Sequence, residues 1–353
     1  MMKKIAIIGV VVVLVAAVLL LSQFVPSFQE KKSLSGGEYE KVLRHLERTY
    51  PEKIKLVYVK TLSMRGPLTK QRADTILKEN LLVKDRLSTN TYHIDDSYEY
   101  INGKLTRYPD IRGKNIKEIL AAKNDGLSIR LSSSLGYRIP QFKNIDEVKE
   151  FLDKYSDVLV DEASFAEKYK IEYFSLFEPD HLILSQRFPV DDDTTAEIVN
   201  NFKEDVVPRI KQVYNGKIEY QIGNADMWNF TKLNVSGLDH FGVLIGGMCD
   251  FELFKEKVDE IFSKAENLSE SYNVPWVISE LWINKKYDEK GNTCDLTGKR
   301  IRYYDYVFEK SRTSKNLVGI MIDTWNVDEP GFETSVKDTS SEQTIKEFFE
   351  SWD

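Results

Sequence analysis

Cysteine and histidine are scarce in this chain of 353 residues, which has two cysteines, Cys249 and Cys294, and four histidines, His45, His93, His181 and His240. The histidines show neither HxH nor HExxH spacing, so no metal is expected. His93-x-Asp95 comes nearest, and a lone pair of this kind is a weak signal. No Gly-x-Ser-x-Gly elbow is present, which removes the serine-hydrolase signature. Neither cysteine has an obvious histidine partner in sequence, and no lysine ends an inner strand face, so Schiff-base chemistry lacks a candidate. Repeats, low-complexity tracts and a lipobox cysteine are also missing. A net charge of −7 leaves no basic excess with which to displace the counterions of a nucleic acid. No cofactor and no nucleic-acid partner are therefore expected.

What is present begins with an unbroken apolar run from Ile5 to Leu21, extended by Phe24 and Val25. It matches the roughly 20 residues a helix needs to cross a bilayer. Lys3 and Lys4 precede it, which places the N-terminus in the cytoplasm and the rest outside. The competing reading is a cleaved signal peptide, whose apolar region is normally about 7–15 residues and ends in a small-x-small site; Leu20-Leu21-Ser22 is a poor one. The expected organisation is a membrane anchor over residues 1–25, a polar stalk over 26–38 and one folded domain over 39–353 on the extracellular side of the cell membrane. There the two cysteines can pair or stay free, since spacing does not decide it. Asn229-Phe-Thr, Asn234-Val-Ser and Asn267-Leu-Ser are acceptor sequons compatible with export.

Hydrophobic residues at 42%, with 12% aromatic, supply a large core. The charged residues are well mixed, which argues against disorder. Helical periodicity runs over 39–50, with Val42, Leu43 and Leu46 on one face. Strand and helix patterns then alternate, which implies a parallel sheet with crossover helices. Expected strands cover 54–62, 88–95, 127–134, 171–178, 217–223, 240–246, 274–281 and 317–325. Expected helices cover 69–85, 115–124, 145–169, 194–214, 251–272 and 299–314, with a shorter segment at 225–233 and a closing helix at 344–352. Asp192 and Asp193 read as caps before Thr194, and Asn124-Asp125-Gly126 and Asn215-Gly216 as turns. Eight strands, each followed by a helical segment, predict a (β/α)8 TIM barrel. A doubly wound sheet would use fewer strands and a Gly-rich phosphate turn, and neither is seen.

Active sites of such barrels form at the C-terminal strand ends. Strand four ends in Phe174-Ser-Leu-Phe-Glu178-Pro-Asp180, strand seven in Ser279-Glu280-Leu-Trp282, and strand eight in Asp323-Thr-Trp325. Strict alternation places Glu280 on the face of Trp276 and Ile278, and Trp325 on that of Asp323 and Gly319. Glycoside hydrolysis needs two carboxyls facing each other across a sugar, one protonated and one ionised; burial beside Phe177 or another aromatic could keep the acid protonated. Alternatively, each glutamate caps a helix or pairs with Arg130. Supporting polar groups at other strand ends are His93 and Asp95, Arg130 with Ser132 to Ser134, and Asn224, Asp226 and Trp228.

Glu178, Glu280 and Trp325 in these places resemble the pattern of the clan A glycoside hydrolases, mannanase-like members among them. The stretch from Asp161 to Asp180 resembles their Ala-x-x-Tyr…Phe-x-x-x-Asn-Glu segment. The resemblance spans residues 54 to 326 and implies a retaining TIM-barrel enzyme acting on a carbohydrate substrate. It makes Glu178 the acid/base, Glu280 the nucleophile and Trp325 the sugar platform, with Asp323 and Trp282 beside it. Two positions depart from the pattern. Phe177 stands where the clan has an asparagine, and strand six lacks the usual tyrosine, leaving His240 or a loop tyrosine to support the nucleophile. These departures keep open a catalytically inactive barrel that binds glycans or scaffolds an envelope complex.

Overall fold

Eight parallel strands curl into one barrel: β1 Ile54–Lys60, β2 Thr91–Ile101, β3 Ser128–Ser134, β4 Tyr173–Leu176, β5 Lys217–Ile222, β6 His240–Gly246, β7 Trp276–Trp282 and β8 Leu317–Asn326. The computed structural model describes residues 46–60, 70–101, 104–107, 111–134, 141–176, 178–186, 188, 190–223, 225–283, 286–287, 293–294, 296–326 and 335–352. Each strand pairs with its successor from β2 to β8, and β8 pairs with β1. Asn90 bridges the remaining seam between β1 and β2. Its N–H donates to the Lys55 carbonyl at 3.0 Å, and its side-chain oxygen accepts from the Lys55 N–H at 2.9 Å. The helices are α1 Lys70–Leu87, α2 Ile111–Asn124, α3 Ile145–Lys168, α4 Pro179–Ser185, α5 Asp192–Val213, α6 Phe251–Tyr272, α7 Arg300–Thr313 and α8 Ser340–Ser351. This is the (β/α)8 architecture that the alternating patterns predict.

Two apolar layers hold it. A small one inside the barrel comprises Ile54, Leu56, Tyr58, Tyr173, Val277 and Met321. The larger one lies between strands and helices. Helix α3 shows how the outer layer is built. Val148, Phe151, Leu152, Tyr155, Leu159 and Ala163 recur at three- and four-residue steps and are all buried. Each large apolar side chain removed from water contributes about 2 kcal/mol. Asn144 caps that helix by accepting from the Glu147 N–H at 3.0 Å, and Glu147 reaches back to the Lys143 N–H at 2.9 Å. At the turn into β3, Gly126 takes a φ of +75°, which a glycine adopts without strain.

Several local expectations need correction. Residues 46–50 are not helical; Arg48 and Thr49 instead bond Ile171 and Glu172, and Tyr50 packs edge-on against Tyr173. Those contacts satisfy their polar groups without a helical turn, and residues 39–45 lie outside the described residues. Within 225–233 only Phe230–Lys232 forms a 3-10 turn, because Asn229 bonds Thr231 locally. Helix α4 was not expected from periodicity; Pro179 at its first position pre-sets the helical φ. Strand β2 continues to Ile101 and pairs antiparallel with Lys104–Arg107. The cap of α5 is Asp191, which accepts from the Thr194 N–H at 2.8 Å, leaving Asp192 and Asp193 in the first turn.

Cys249 and Cys294 are joined in a disulfide between the loop after β6 and the excursion after β7, with Cα atoms 5.6 Å apart. The expected anchor and stalk lie outside the described residues. Among the described residues, no helix is long and apolar enough to cross a membrane.

Candidate active site

Above the apolar floor, β3 sends Arg130 into the barrel with 1% of its surface exposed. Its Nε and Nη2 donate to the Glu219 carboxylate of β5 at 3.1 and 2.5 Å. Nη2 also donates to Ser175 Oγ at 2.9 Å and Gln221 Oε1 at 3.0 Å, while Nη1 donates to the Tyr58 hydroxyl at 3.0 Å. His240, at the start of β6, lies 2.9 Å from the same Glu219 oxygen, Oε2, that accepts from Arg130 Nε. Burial pulls the Glu219 carboxyl up, but Arg130 and His240 outweigh it and hold it far below the ordinary carboxylate range. Arg130 is therefore a strut inside the barrel, not a group at its mouth. Its carboxylate partner is Glu219, which strand-by-strand reading did not single out.

Glu178 leaves the end of β4 and occupies the N-cap position of α4, yet its side chain makes no capping bond. Instead Oε1 accepts from Gln221 Nε2, so Gln221 is clamped between Arg130 and Glu178. Burial, followed by the negative charge of Asp180, pushes Glu178 up to about 8; Arg130 and the Gln221 bond pull the other way. Its carboxyl thus carries a proton at neutral pH, as a general acid must. Phe177, the expected cause of that burial, lies outside the described residues. A side chain at Gly223 would come within 2.6 Å of Glu178 Oε2, so glycine is what lets the turn after β5 close over this carboxyl.

Glu280 reaches its place through a bulge. Val243 of β6 opposes Ile278 while Leu244 opposes Glu280, and on the other side Ile320 and Ile322 of β8 oppose Ile278 and Leu281. Trp276 and Ile278 belong to the outer layer, and the Trp276 indole donates to Glu266 of α6 at 3.2 Å. Strict alternation would send Glu280 outward with them; the extra residue turns it back toward Tyr58. The Tyr58 hydroxyl donates to the neighbouring Ser279 carbonyl at 2.9 Å. Burial raises that hydroxyl's pKa far above the ordinary tyrosine value, against Arg130 and reinforced by the charge of Glu280. The tyrosine beside Glu280 therefore comes from β1, and His240 serves Glu219 instead.

A second skip corrects the reading of β8. Tyr58 pairs with Asp323 and the next residue, Val59, pairs with Trp325. Successive residues of β1 face opposite ways, so Asp323 and Trp325 do not share a face. The Trp325 ring is 0% exposed; its indole donates to Glu79 of α1 at 2.9 Å and Arg86 lies 4.9 Å from its centroid. Helix α1 covers the ring that was expected to carry a sugar. Trp228 is likewise buried, donating to the Gly223 carbonyl at 3.3 Å and packing its loop onto the core. His93 meets Asp95 at 2.8 Å and packs edge-on against Tyr58 at 4.5 Å, with Asp95 exposed. Half-buried Trp282 closes β7 opposite Asp323. Asn224 lies outside the described residues. The fold thus gathers Glu178, Arg130, His93 and Glu280 around Tyr58 and Gln221, and separates Trp325 and Trp228 from them.

Solved structures share this architecture. A complex structure of a GH113 β-1,4-mannanase superposes with a TM-score of 0.63 at 16% identity, covering 85% of this chain and 100% of the other. The GH113 β-mannanase AaManA from Alicyclobacillus acidocaldarius gives 0.58 at 14%, over 87% and 98%. A β-glucuronidase from an uncultured Clostridium gives 0.58 at 12%, over 85% of this chain and 50% of the other. No family model and no curated protein matches the chain in sequence. What these structures share with it is the fold, a nearly closed parallel eight-stranded barrel.

Proposed function

We propose that this chain is a retaining glycoside hydrolase acting on a polysaccharide or glycan, anchored in the cell membrane by residues 1–25 with its barrel outside the cell. One observation carries the reading. Glu178 at the end of β4, its carboxyl pushed up by burial, is linked through Gln221, Arg130 and Tyr58 to the neighbourhood of Glu280 at the end of β7. In this mechanism Glu178 protonates the glycosidic oxygen as the bond to it breaks, and the Glu280 carboxylate bonds the anomeric carbon. Glu178, now ionised, takes a proton from water, which displaces Glu280 and completes hydrolysis. Arg130 acts indirectly, fixing Gln221, which holds the Glu178 carboxyl, and Tyr58, which lies beside Glu280. The apolar run from Ile5 to Leu21 after Lys3 and Lys4 supports the anchor, and the Cys249–Cys294 disulfide supports an oxidising compartment.

The test is turnover of a panel of aryl β-glycosides and β-mannan by the full chain. Glu280→Ala should abolish hydrolysis of every substrate the wild type cleaves; unchanged turnover would remove Glu280 from the mechanism. The covered ring of Trp325 and the phenylalanine at 177 favour a second reading, a silent barrel that binds glycans. Hydrolysis of any glycan by the wild type, lost in Glu178→Gln, rejects it.

A further inference from the structure

One buried acid has no part in the mechanism above. Asp180 lies two residues beyond Glu178 in the first turn of α4 and is wholly buried. Its Oδ1 accepts from the Tyr220 hydroxyl at 2.5 Å. Tyr220 points outward from β5, away from Glu219 and Gln221. Behind it stands buried Lys203 of α5, whose ammonium is 5.4 Å from the Tyr220 ring centroid and donates to the Asn234 carbonyl. The two acids converge on the turn after β5. A Cβ on Gly223 would lie 2.6 Å from Glu178 Oε2 and 3.4 Å from Asp180 Oδ2, so those oxygens are at most about 6 Å apart.

We propose that Asp180 is a positioning residue for Glu178, its fixed carboxylate setting through space how tightly the proposed acid keeps its proton. The inference rests on Glu178 being that acid. A like charge nearby disfavours a second ionisation, and burial strengthens the effect. Burial lifts Asp180 itself to about 7, against the Tyr220 hydroxyl and backbone N–H groups including those of Gly223 and His181. The ionisable groups facing the pair are Tyr220 and Glu219 on β5, Arg130 on β3, Lys203 on α5 and His181 on α4. Arg130 opposes the effect, but it is locked onto Glu219. Burial brings Lys203 down to about 7, so near neutrality it places only part of a positive charge near Asp180. If Asp180 merely braced α4, its loss would lower activity without moving the pH dependence.

The experiment records kcat/KM against pH for the full-length wild type, Asp180→Asn and Tyr220→Phe on an aryl glycoside that the wild type cleaves, with Glu178→Gln as control. Asparagine keeps the shape and can still accept from Tyr220. Across about 6 Å at an effective dielectric near 20, one charge moves a neighbour by about two pH units. The basic limb should therefore fall by about one to two pH units in Asp180→Asn. It should move the same way by less in Tyr220→Phe, which loses only the hydroxyl holding Asp180 charged. A limb left at its wild-type position overturns the proposal, whatever happens to kcat. A Glu178→Gln variant as active as the wild type overturns the acid assignment, and this inference with it. A substrate-free measurement covers weak activity: the pH at which the gap in melting temperature between wild type and Glu178→Gln stops widening should fall in the Asp180→Asn background.

Discussion

Replacing Glu178 with glutamine should stabilise the protein, and increasingly so as pH rises. The carboxyl is raised in the fold to about 8, against about 4.5 when free in water. A raised carboxyl contributes fully below its unfolded value and loses that contribution as pH rises through its folded value. A displacement from about 4.5 to about 8 amounts to roughly 5 kcal/mol once complete. Glu178 keeps part of its surface exposed, and water offsets part of the burial, so about 2–3 kcal/mol is the expected gap. Glutamine keeps an oxygen to accept from Gln221 and cannot ionise. Thermal melts of the two proteins should nearly coincide near pH 4 and separate steadily to pH 9, with glutamine the more stable by several degrees. All other ionisable groups are common to both chains and cancel to first order. A gap that is constant with pH, or that favours the wild type at pH 9, would show that Glu178 is ionised in the fold and would refute its role as an acid.

Arg130→Met should cost about 3–5 kcal/mol, because it leaves the Glu219 carboxylate buried without its cation. Glu219 is held low by Arg130, so its contribution is present above about pH 4.5 and lost as pH falls. The deficit measured by denaturant titration should therefore shrink in acid, and a deficit that grows there would contradict the pairing. Removing the disulfide with Cys249→Ser and Cys294→Ser frees a loop of 45 residues. Chain entropy puts the loss at about 4 kcal/mol, and melts with and without reductant should reproduce it in the wild type but show no difference in the double variant.

The fold was legible because each layer repeats a local rule. Strand β6 and helix α6 fall at the expected residues, since His240–Gly246 is an apolar run between turns and Phe251–Tyr272 carries a clear helical stripe with Asp250 as its cap. Elements without such a stripe were harder to read. Helix α4 has only seven residues and depends on Pro179, and residues 46–50 look helical by spacing yet are held by Ile171 and Glu172 far along the chain. Local periodicity does not contain that competition.

The site was legible where it depends on position along a strand and illegible where it depends on the facing strand. That Glu178 and Glu280 sit at strand ends follows from counting. Which way Glu280 and Trp325 point does not, because each follows an extra residue that shifts the register against a neighbour, at Ser279 in β7 and at Thr324 in β8. Arg130 and Glu219 are 89 residues apart and meet only when the barrel closes. Both sit in the inward phase of their strands, so an arginine and a glutamate sharing that phase was the signal available, and closure makes their pairing almost compulsory. A guanidinium inside an apolar barrel needs a carboxylate, and once Glu219 supplies it, the Arg130 donors left over can fix Tyr58 and Gln221. The charge that makes the interior costly to build is thus what aims the side chains beside the two proposed catalytic carboxyls.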